Sequence, residues 1–438
     1  MSASVASHAT GSSDAAPEAA PPATAPTGRF PGWRVVAGCF IVLTVSSGLA
    51  FYGLAVYLNA LSNEQGWPLG QISAGTTIFF VVSGATGLVV ARLIAEHDVR
   101  YVMIAGAVIA GGALALLGQV DSQWQLYLVY AVFAVGFAAC GLVPATTVVT
   151  RWFHVRRSVA LSVASTGLSV GGILLTPLAK RLIDENGLAV STPWLGLMMV
   201  VGIVPVAWFL VRPDPVRDGW APDGARLAAG ASPPPPTGVH YGDAVTTRFY
   251  RAVTWGYVLA LGSQVGGIQQ LVKLVEERTD PETARFAITA VAATSVVARL
   301  AGGRIVQFVP MTKFTAAVAG VQAVSLVFLA VAESTAALFL AIVLFGVTIG
   351  NLLMLQPLLI AERFGVVDYA RIYSRSQFIV IIGVAGGPLL LGWLYDESGS
   401  YRVPYVTASV LCVFGAALIA VAGPATLRGN EPGASEGR

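Results

Sequence analysis

Residues 337–360 read ALFLAIVLFGVTIGNLLMLQPLLI, a stretch that contains no charged side chain. A helix needs about 20 apolar residues to cross the hydrocarbon core of a bilayer, and this stretch is long enough to do so. Because lipid offers no hydrogen bonds to the backbone, such a stretch is predicted to be helical. Similar runs recur along the chain, and together they predict an all-α integral membrane protein.

Twelve such apolar runs divide into two groups of six. The first group is predicted to span the membrane at residues 35–58, 71–95, 101–118, 124–149, 158–179 and 194–211. The second group is predicted to do so at residues 251–273, 284–306, 314–332, 337–360, 376–394 and 404–423. An even number of spans places both termini on the same side of the membrane.

The overall composition excludes several classes of protein. Hydrophobic residues make up 55% of the chain and charged residues 11%, whereas soluble domains are about 25% charged. The net charge is only +3 and the basic residues are dispersed among loops, so no nucleic-acid surface is expected. The cysteines and histidines have neither metal-site nor disulfide spacing, and no phosphate-binding loop is present. We therefore expect no cofactor and no metal.

The distribution of Lys and Arg predicts the orientation. Most of the 26 basic residues fall in the loops that share a side with both termini. Loops rich in Lys and Arg stay in the cytoplasm, so both termini are predicted to be cytoplasmic. We expect a multi-pass protein of the plasma (inner) membrane. The cluster of Arg151, Arg156 and Arg157 is interpreted as a topology determinant that contacts lipid head groups, with a regulatory role as the alternative.

The predicted domain organisation follows from the two groups of spans. The N-terminus lacks the apolar core of a signal peptide and is interpreted as a disordered tail. A segment rich in proline separates the halves and is interpreted as a partly extended, partly disordered linker. The predicted parts are an N-terminal cytoplasmic tail (1–30), a six-helix bundle (31–211), a cytoplasmic linker (212–250), a second six-helix bundle (251–423) and a C-terminal cytoplasmic tail (424–438).

Several motifs resemble those of a known family. The loop RLIAEHDVR at 92–100 and its counterpart RIVQFVPMTK at 304–313 occupy the place of a family signature, in degenerate form. Three further stretches are GWRVV at 32–36, RWFxxRR at 151–157 and VAR at 297–299. The chain resembles the major facilitator superfamily, and within it the monocarboxylate transporters and oxalate:formate antiporters. The resemblance implies a twelve-helix fold of two six-helix bundles, and an arginine in span eight, here Arg299, that binds a substrate carboxylate.

Arg299 is the one ionisable side chain deep inside the predicted spans. A charge at that depth costs at least about 2.5–3.5 kcal/mol, and arginine does not lose its proton. The spans offer no carboxylate as a partner, so an anionic substrate would supply the missing charge through a bidentate contact. The alternative is that Arg299 reaches the interface or binds backbone carbonyls at a kink.

Four other polar residues join Arg299 in the predicted substrate site. Ser295 lies one helical turn before Arg299 and would share its face. Tyr52 in span one, Gln264 in span seven and Asn351 in span ten could also reach a central cavity. The alternative for Ser295 is a hydrogen bond to its own backbone, and for the others a contact between helices.

These observations predict a secondary active or facilitative transporter that moves a small, monocarboxylate-like organic anion by alternating access. Ser295 stands where animal monocarboxylate transporters carry Asp, so three modes remain open. They are anion exchange, facilitated flux, and symport of a proton carried by a group such as Glu64 or Glu276. The predicted partners are the substrate, a proton or counter-anion, and the lipid bilayer, with the monomer as the functional unit.

Two rival functions remain. Multidrug-type efflux of a larger amphipathic compound would make Arg299 dispensable. A non-transporting membrane sensor would need a signalling domain, which neither tail resembles. An enzyme is not expected, because the spans contain no nucleophile with an acid–base partner and no set of metal ligands.

Overall fold

The computed structural model describes residues 29–67, 69–227, 237–279 and 281–425. Both predicted tails lie almost entirely outside these ranges, as does the centre of the predicted linker. Helices dominate the described part. Those of the first half are α1 (Gly32–Ser46), α2 (Gly53–Gln65), α3 (Leu69–Glu96), α4 (Val99–Leu116), α5 (Gln123–Cys140), α6 (Leu142–Trp152), α7 (Arg157–Asn186) and α8 (Leu188–Phe209).

The second half contains one short helix and six long ones. They are α9 (Tyr241–Thr246), α10 (Arg248–Arg278), α11 (Pro281–Ile305), α12 (Met311–Val331), α13 (Thr335–Phe364), α14 (Tyr369–Ser398) and α15 (Arg402–Ala420). In the first half α1 continues into α2 through a π-helical turn, Ser47–Phe51, and α5 continues into α6 through Gly141. The described part thus holds twelve long helical runs, as the sequence predicts.

Ten of these runs are apolar and long enough to cross a membrane. The other two long helices, α10 and α11, carry the polar candidates Gln264 and Arg299. Several helices extend beyond the predicted spans. The first run continues to Gln65, where Gly66 adopts a left-handed conformation and ends it. Helix α7 continues to Asn186, and α14 starts at Tyr369.

The same helix pairs pack together in both halves. In the first half α1 packs on α7, α3 on α5, and α4 on α8. The equivalent pairs of the second half are α10 with α14, α11 with α13, and α12 with α15. Glycines allow the closest approaches: a Cβ at Gly171 would overlap the Thr44 carbonyl, and one at Gly387 would overlap the Gly262 carbonyl. The two halves are therefore built to one plan.

The two halves contact each other mainly through α7 with α11 and α3 with α14. We call the end of the assembly where α8 ends and α10 begins the linker side, and the opposite end the far side. Helix α7 begins on the linker side and α11 ends there. Gly303 near the end of α11 lies against Ser158 and Ser162 near the start of α7. The halves are thus packed together on the linker side.

The described parts of the predicted linker are folded against the two halves. The Asp223 carboxylate accepts hydrogen bonds from the backbone N–H groups of His154, Val155 and Arg156, at 3.0, 2.8 and 3.2 Å. On the second half, the Val239 N–H donates to the Phe364 carbonyl at 2.8 Å. Each end of the linker is therefore attached to the bundle that it adjoins, and residues 228–236 connect the two attachments.

Candidate substrate site between the two halves

Arg299 lies on α11 at the interface with the first half, and its side chain is fully buried. Its Nε donates to the Gly350 carbonyl of α13 at 2.8 Å, and its Nη1 donates to the Ser165 carbonyl of α7. Helix α13 can come this close because Gly350 has no side chain; a Cβ there would overlap the Ser295 carbonyl. Nη2 has no hydrogen-bond partner among the described residues.

The charge of Arg299 is not neutralised within the described part of the chain. None of the ion pairs found there includes it. The titratable group within electrostatic range of it is the phenol of Tyr52. A buried charge held only by carbonyl dipoles lacks the opposite charge that would offset the cost of its burial.

Ser295 occupies the position that the sequence predicts, one turn from Arg299. Its Oγ lies 3.1 Å from the Oγ of Ser169 on α7 and also donates to the Ala292 carbonyl at 2.9 Å. Ser295 therefore contacts the other half of the protein, directly beside the Arg299 contact.

Asn351 follows Gly350 on α13 and faces α11. Its Nδ2 donates to the Ala298 carbonyl at 3.1 Å and to the Val347 carbonyl at 2.9 Å. Its Oδ1 is buried and has no partner among the described residues. A Cβ at Gly302 would overlap this oxygen, so the glycine makes room for the amide. Asn351 and Arg299 thus share one helix interface.

Tyr52 directly follows the π-helical turn between α1 and α2. The Tyr52 N–H donates to the Ser47 carbonyl at 2.9 Å, which is the i→i−5 bond of a π-helix. The Tyr57 hydroxyl donates to the Leu49 carbonyl at 2.7 Å and so satisfies an acceptor within the turn. Tyr52 is half-buried, packs near Gly172 of α7, and lies within electrostatic range of Arg299. It belongs to the same region as Ser295 and Asn351.

Gln264 has a different environment. Its Nε2 donates to the Oε1 of Gln322 on α12 at 2.7 Å, and Gln322 in turn donates to the Ala260 carbonyl at 2.8 Å. Both glutamines are buried. The contacts described for Gln264 lie between α10 and α12, whereas those of Asn351 lie between α13 and α11, the helix that carries Arg299 and Ser295.

Helix α7 supplies residues that the sequence analysis did not select. The Ser165 carbonyl accepts a hydrogen bond from Arg299, and the Ser169 hydroxyl forms a hydrogen bond with that of Ser295. A sequence signal for them exists, because serines recur along α7 with the spacing of one helix face. All four members of this row are buried: Ser158, Ser162, Ser165 and Ser169.

Glu64, one of the candidate proton carriers, has a structural contact on the far side. Its Oε1 accepts a hydrogen bond from the Leu188 N–H at 2.9 Å, near the start of α8. Carboxylates at this end of a helix interact favourably with its dipole. Glu64 also lines a groove of about 320 Å³ together with Asn59, Asn63 and Lys180.

The fold and this interface define the class of protein. The chain has two helical halves of the same plan, an internal repeat that many membrane transporters share, with a buried cation between them. Residues 40–275 and 273–438 match the model of the Major Facilitator Superfamily. The chain belongs to this superfamily, as its motifs indicate, and it is a transporter rather than an enzyme.

Relatives of known sequence or structure extend over most of the chain. MFS-type transporter 1 of Ophiocordyceps sp. is 24% identical over 92% of this chain and 87% of its own length. Monocarboxylate transporter 13 of Rattus norvegicus is 24% identical over 89% of this chain and 88% of its own length. The crystal structure of the E. coli fucose:proton symporter FucP is similar in fold, with a TM-score of 0.68 and 14% identity, covering 89% of this chain and 98% of that one.

Proposed function

We propose that this transporter carries a small organic anion of the monocarboxylate type across the plasma membrane, and that Arg299 binds the carboxylate. The observation that supports this most directly is a fully buried guanidinium without a carboxylate partner in the described part. A carboxylate accepts two parallel hydrogen bonds from a guanidinium, which makes it the ligand of best fit. The name of the rat relative is consistent with this substrate class.

The donors around Arg299 suit such a ligand. Nη2 is unpartnered, and Nη1 is held by a backbone carbonyl that a carboxylate would replace. The hydroxyls of Ser295 and Ser169 meet one helical turn along α11 and α7 from the Arg299–Ser165 contact, and they come from opposite halves. In the proposed site, α11 thus supplies the positive charge that binds the anion. The remaining hydrogen bonds to the anion come from both halves.

Alternating access would proceed by opening and closing the halves around this site. In this structure the halves are packed on the linker side, which we propose is the cytoplasmic side because basic residues concentrate there. Opening that side requires the Arg299–Ser165 and Ser295–Ser169 contacts to separate. Bundles 31–211 and 251–423 are the proposed moving units, within a monomer.

The surroundings of Arg299 also bear on coupling. The described residues place no Asp or Glu in an ion pair with it, and Glu64 is engaged on the far side. A proton symporter needs a group that titrates together with substrate binding. The site therefore favours anion exchange or facilitated flux over proton symport.

The test is uptake of radiolabelled lactate, pyruvate, oxalate and succinate into proteoliposomes, with and without a pH gradient. The wild type, Arg299→Gln and a control, Arg181→Gln, would be compared. Arg181 is exposed on the far side and pairs with Glu185. We expect Arg299→Gln to reduce uptake by roughly a hundredfold, because a charge-assisted bidentate contact is lost.

Retention of the fold would be checked by the elution volume and thermal midpoint of each purified variant. The pH response separates proton symport from exchange and facilitated flux. If no acid is carried, or if Arg299→Gln transports as well as the control, the proposal is wrong. Efflux of a larger amphipathic compound then becomes the leading function.

A further inference from the structure

A second group of polar side chains lies between the halves, nearer the linker side than Arg299. It consists of Tyr257 on α10, Tyr369 and Tyr373 on α14, and Thr150 on α6, and we call it the hydroxyl cluster. All four side chains are buried. None of the four hydroxyls has a hydrogen-bond partner among the described residues. Leaving a buried hydroxyl unpaired costs the free energy of its lost hydration.

The members of the hydroxyl cluster lie close to one another. The rings of Tyr369 and Tyr373 stack with a centroid separation of 5.6 Å and an interplanar angle of 15°. Tyr257 and Tyr373 lie on the packed helices α10 and α14, which are joined between them by the hydrogen bond of Thr254 Oγ1 with Ser376 Oγ at 2.9 Å. The Tyr369 hydroxyl lies within reach of the hydroxyls of Thr146 and Thr150, although its geometry falls short of a hydrogen bond. Four unpartnered hydroxyls of the described residues are thus gathered in one place, although others, such as that of Tyr130, lie elsewhere.

A buried cation adjoins the hydroxyl cluster. Arg157, the first residue of α7, is 4% exposed and lies within electrostatic range of Tyr369. Its Nε donates to the Phe153 carbonyl at 3.1 Å, and its Nη1 lies 3.8 Å from Glu362 on α13. Because Arg157 and Glu362 belong to different halves, opening the linker side would separate them and leave Arg157 without this carboxylate.

The distance along α7 relates this group to the substrate site. Arg157 precedes Ser165, the residue that contacts Arg299, by about two helical turns, or roughly 12 Å at 1.5 Å per residue. The buried face between them carries Ser158 and Ser162. An anion that leaves Arg299 toward the linker side would therefore pass along polar side chains to the hydroxyl cluster.

We propose that the tyrosine hydroxyls of this cluster, facing Arg157, form a second binding station for the transported carboxylate, exposed when the halves part on the linker side. This inference rests on the proposed function. In that state the hydroxyls of Tyr257, Tyr369 and Tyr373 would donate to the anion from one wall. Arg157 would supply positive potential from the other wall.

The test measures the half-saturating concentration of transport from each side of the membrane. The probe is the labelled lactate, pyruvate, oxalate or succinate that the wild type carries fastest. Right-side-out and inverted membrane vesicles would be used, with their sidedness set by the accessibility of a C-terminal tag. The variants are Tyr373→Phe and Tyr369→Phe. The matched control is Tyr130→Phe, since the Tyr130 hydroxyl is also buried and unpartnered within the described part, but inside the first half.

We expect each cluster variant to raise the half-saturating concentration from the linker side about tenfold, the effect of losing one hydrogen bond to a charged ligand. The value from the far side and the thermal midpoint should stay at or near those of the Tyr130→Phe control. A purely structural hydroxyl would not produce this difference between sides.

Arg157 is tested by a pair of variants that separates its charge from its ion pair. Arg157→Gln removes both, and we expect it to raise the linker-side value. Glu362→Gln removes the ion pair but keeps the positive charge, so we expect the linker-side value to stay constant or fall. Equal increases in the two variants would show that the pair acts only to close the halves, and would contradict a role for Arg157 in binding.

The outcomes distinguish this inference from the proposed function. If the wild type carries an acid and both cluster variants behave like Tyr130→Phe, the second station is wrong and the Arg299 site stands. Equal increases from both sides would place the tyrosines at the central site, which also overturns the second station. If the wild type carries none of the acids, both proposals are wrong.

Discussion

The guanidinium of Arg299 on α11 donates a hydrogen bond to the backbone carbonyl of Ser165 on α7, and so joins the two halves of the protein. The same group is the proposed ligand of the substrate carboxylate. An anion that takes the Arg299 donors therefore competes with a contact that holds the linker side closed. Under the proposed function, substrate binding would release this contact.

Arg299→Lys should retain part of the activity that Arg299→Gln loses. Lysine keeps the charge but offers a single ammonium in place of a planar fork, so it cannot bind a carboxylate and the Gly350 carbonyl with the same geometry. We expect the half-saturating concentration for the carried acid to rise about tenfold or more. Concentration-dependent uptake into proteoliposomes measures this. Equal uptake by the lysine and glutamine variants would show that the positive charge itself is unimportant.

A disulfide between cysteines that replace Ser169 and Ser295 should hold the linker side closed and so stop transport. Their hydroxyl oxygens lie 3.1 Å apart across the interface, so cysteines at both positions would meet. We expect oxidation of the Ser169→Cys/Ser295→Cys variant to abolish most uptake and dithiothreitol to restore it. The single-cysteine variants are the controls, and the native Cys39, Cys140 and Cys412 are buried. Undiminished uptake after complete cross-linking would show that these helices need not separate.

Gly350→Ala should disrupt the substrate site through the backbone. Its Cβ would overlap the Ser295 carbonyl, so α11 and α13 would have to move apart, and Arg299 would lose its bond to Gly350. We expect a loss of about 1–3 kcal/mol in stability together with most of the transport. Gly320→Ala is the control, because nothing lies within 4 Å of its Cβ position. Thermal midpoints and uptake of both variants would be compared, and similar values would contradict the prediction.

Asp223→Ala should detach the linker from the first half. The lost carboxylate accepts three backbone hydrogen bonds from residues 154–156. Hydrogen bonds to a charged group contribute about 1.5–3 kcal/mol when buried and less at an exposed position such as this one. We expect the thermal midpoint to fall by a few degrees, and Asp223→Asn to be milder because its amide oxygen still accepts.

The control for Asp223→Ala is Asp121→Ala, which removes an exposed carboxylate without a hydrogen bond or ion pair in the described ranges. Thermal unfolding of the purified proteins in detergent provides the comparison. A midpoint equal to that of the control would show that the Asp223 contacts add nothing to stability.

The helices could be predicted from the sequence much better than their ends. Apolar runs in the sequence located all twelve long helical runs, ten of which are apolar and long enough to be membrane spans in the described part. Hydropathy carries no information about helical hydrogen bonds outside the bilayer, so the sequence predicts that α7 ends at residue 179. Its last turns are polar but remain helical, supported by the pairs Lys180–Asp184 and Arg181–Glu185 at i,i+4 spacing.

The site was predictable only in part, for a related reason. A lone charge in an apolar span identifies Arg299 without a structure. Its partners, however, are the backbone carbonyls of Gly350 and Ser165. Every residue has a backbone carbonyl, so the sequence does not show which ones accept these hydrogen bonds. The folding of the linker was hidden in the same way. The linker is predicted to be partly extended and partly disordered, whereas its attachment through Asp223 depends on residues 154–156, a loop distant in sequence.

The π-helical turn at Ser47–Phe51 has a consequence for how this chain is compared with its relatives. Such a turn holds one residue more than an α-helical turn, and therefore acts as a single-residue insertion inside a continuous helix. A homologue with an unbroken α-helix here would align correctly on only one side of the turn without a gap. Deleting one residue from 47–51 would rotate Tyr52 by about 100° relative to α1. The direction in which that tyrosine points thus depends on the extra residue that the turn holds.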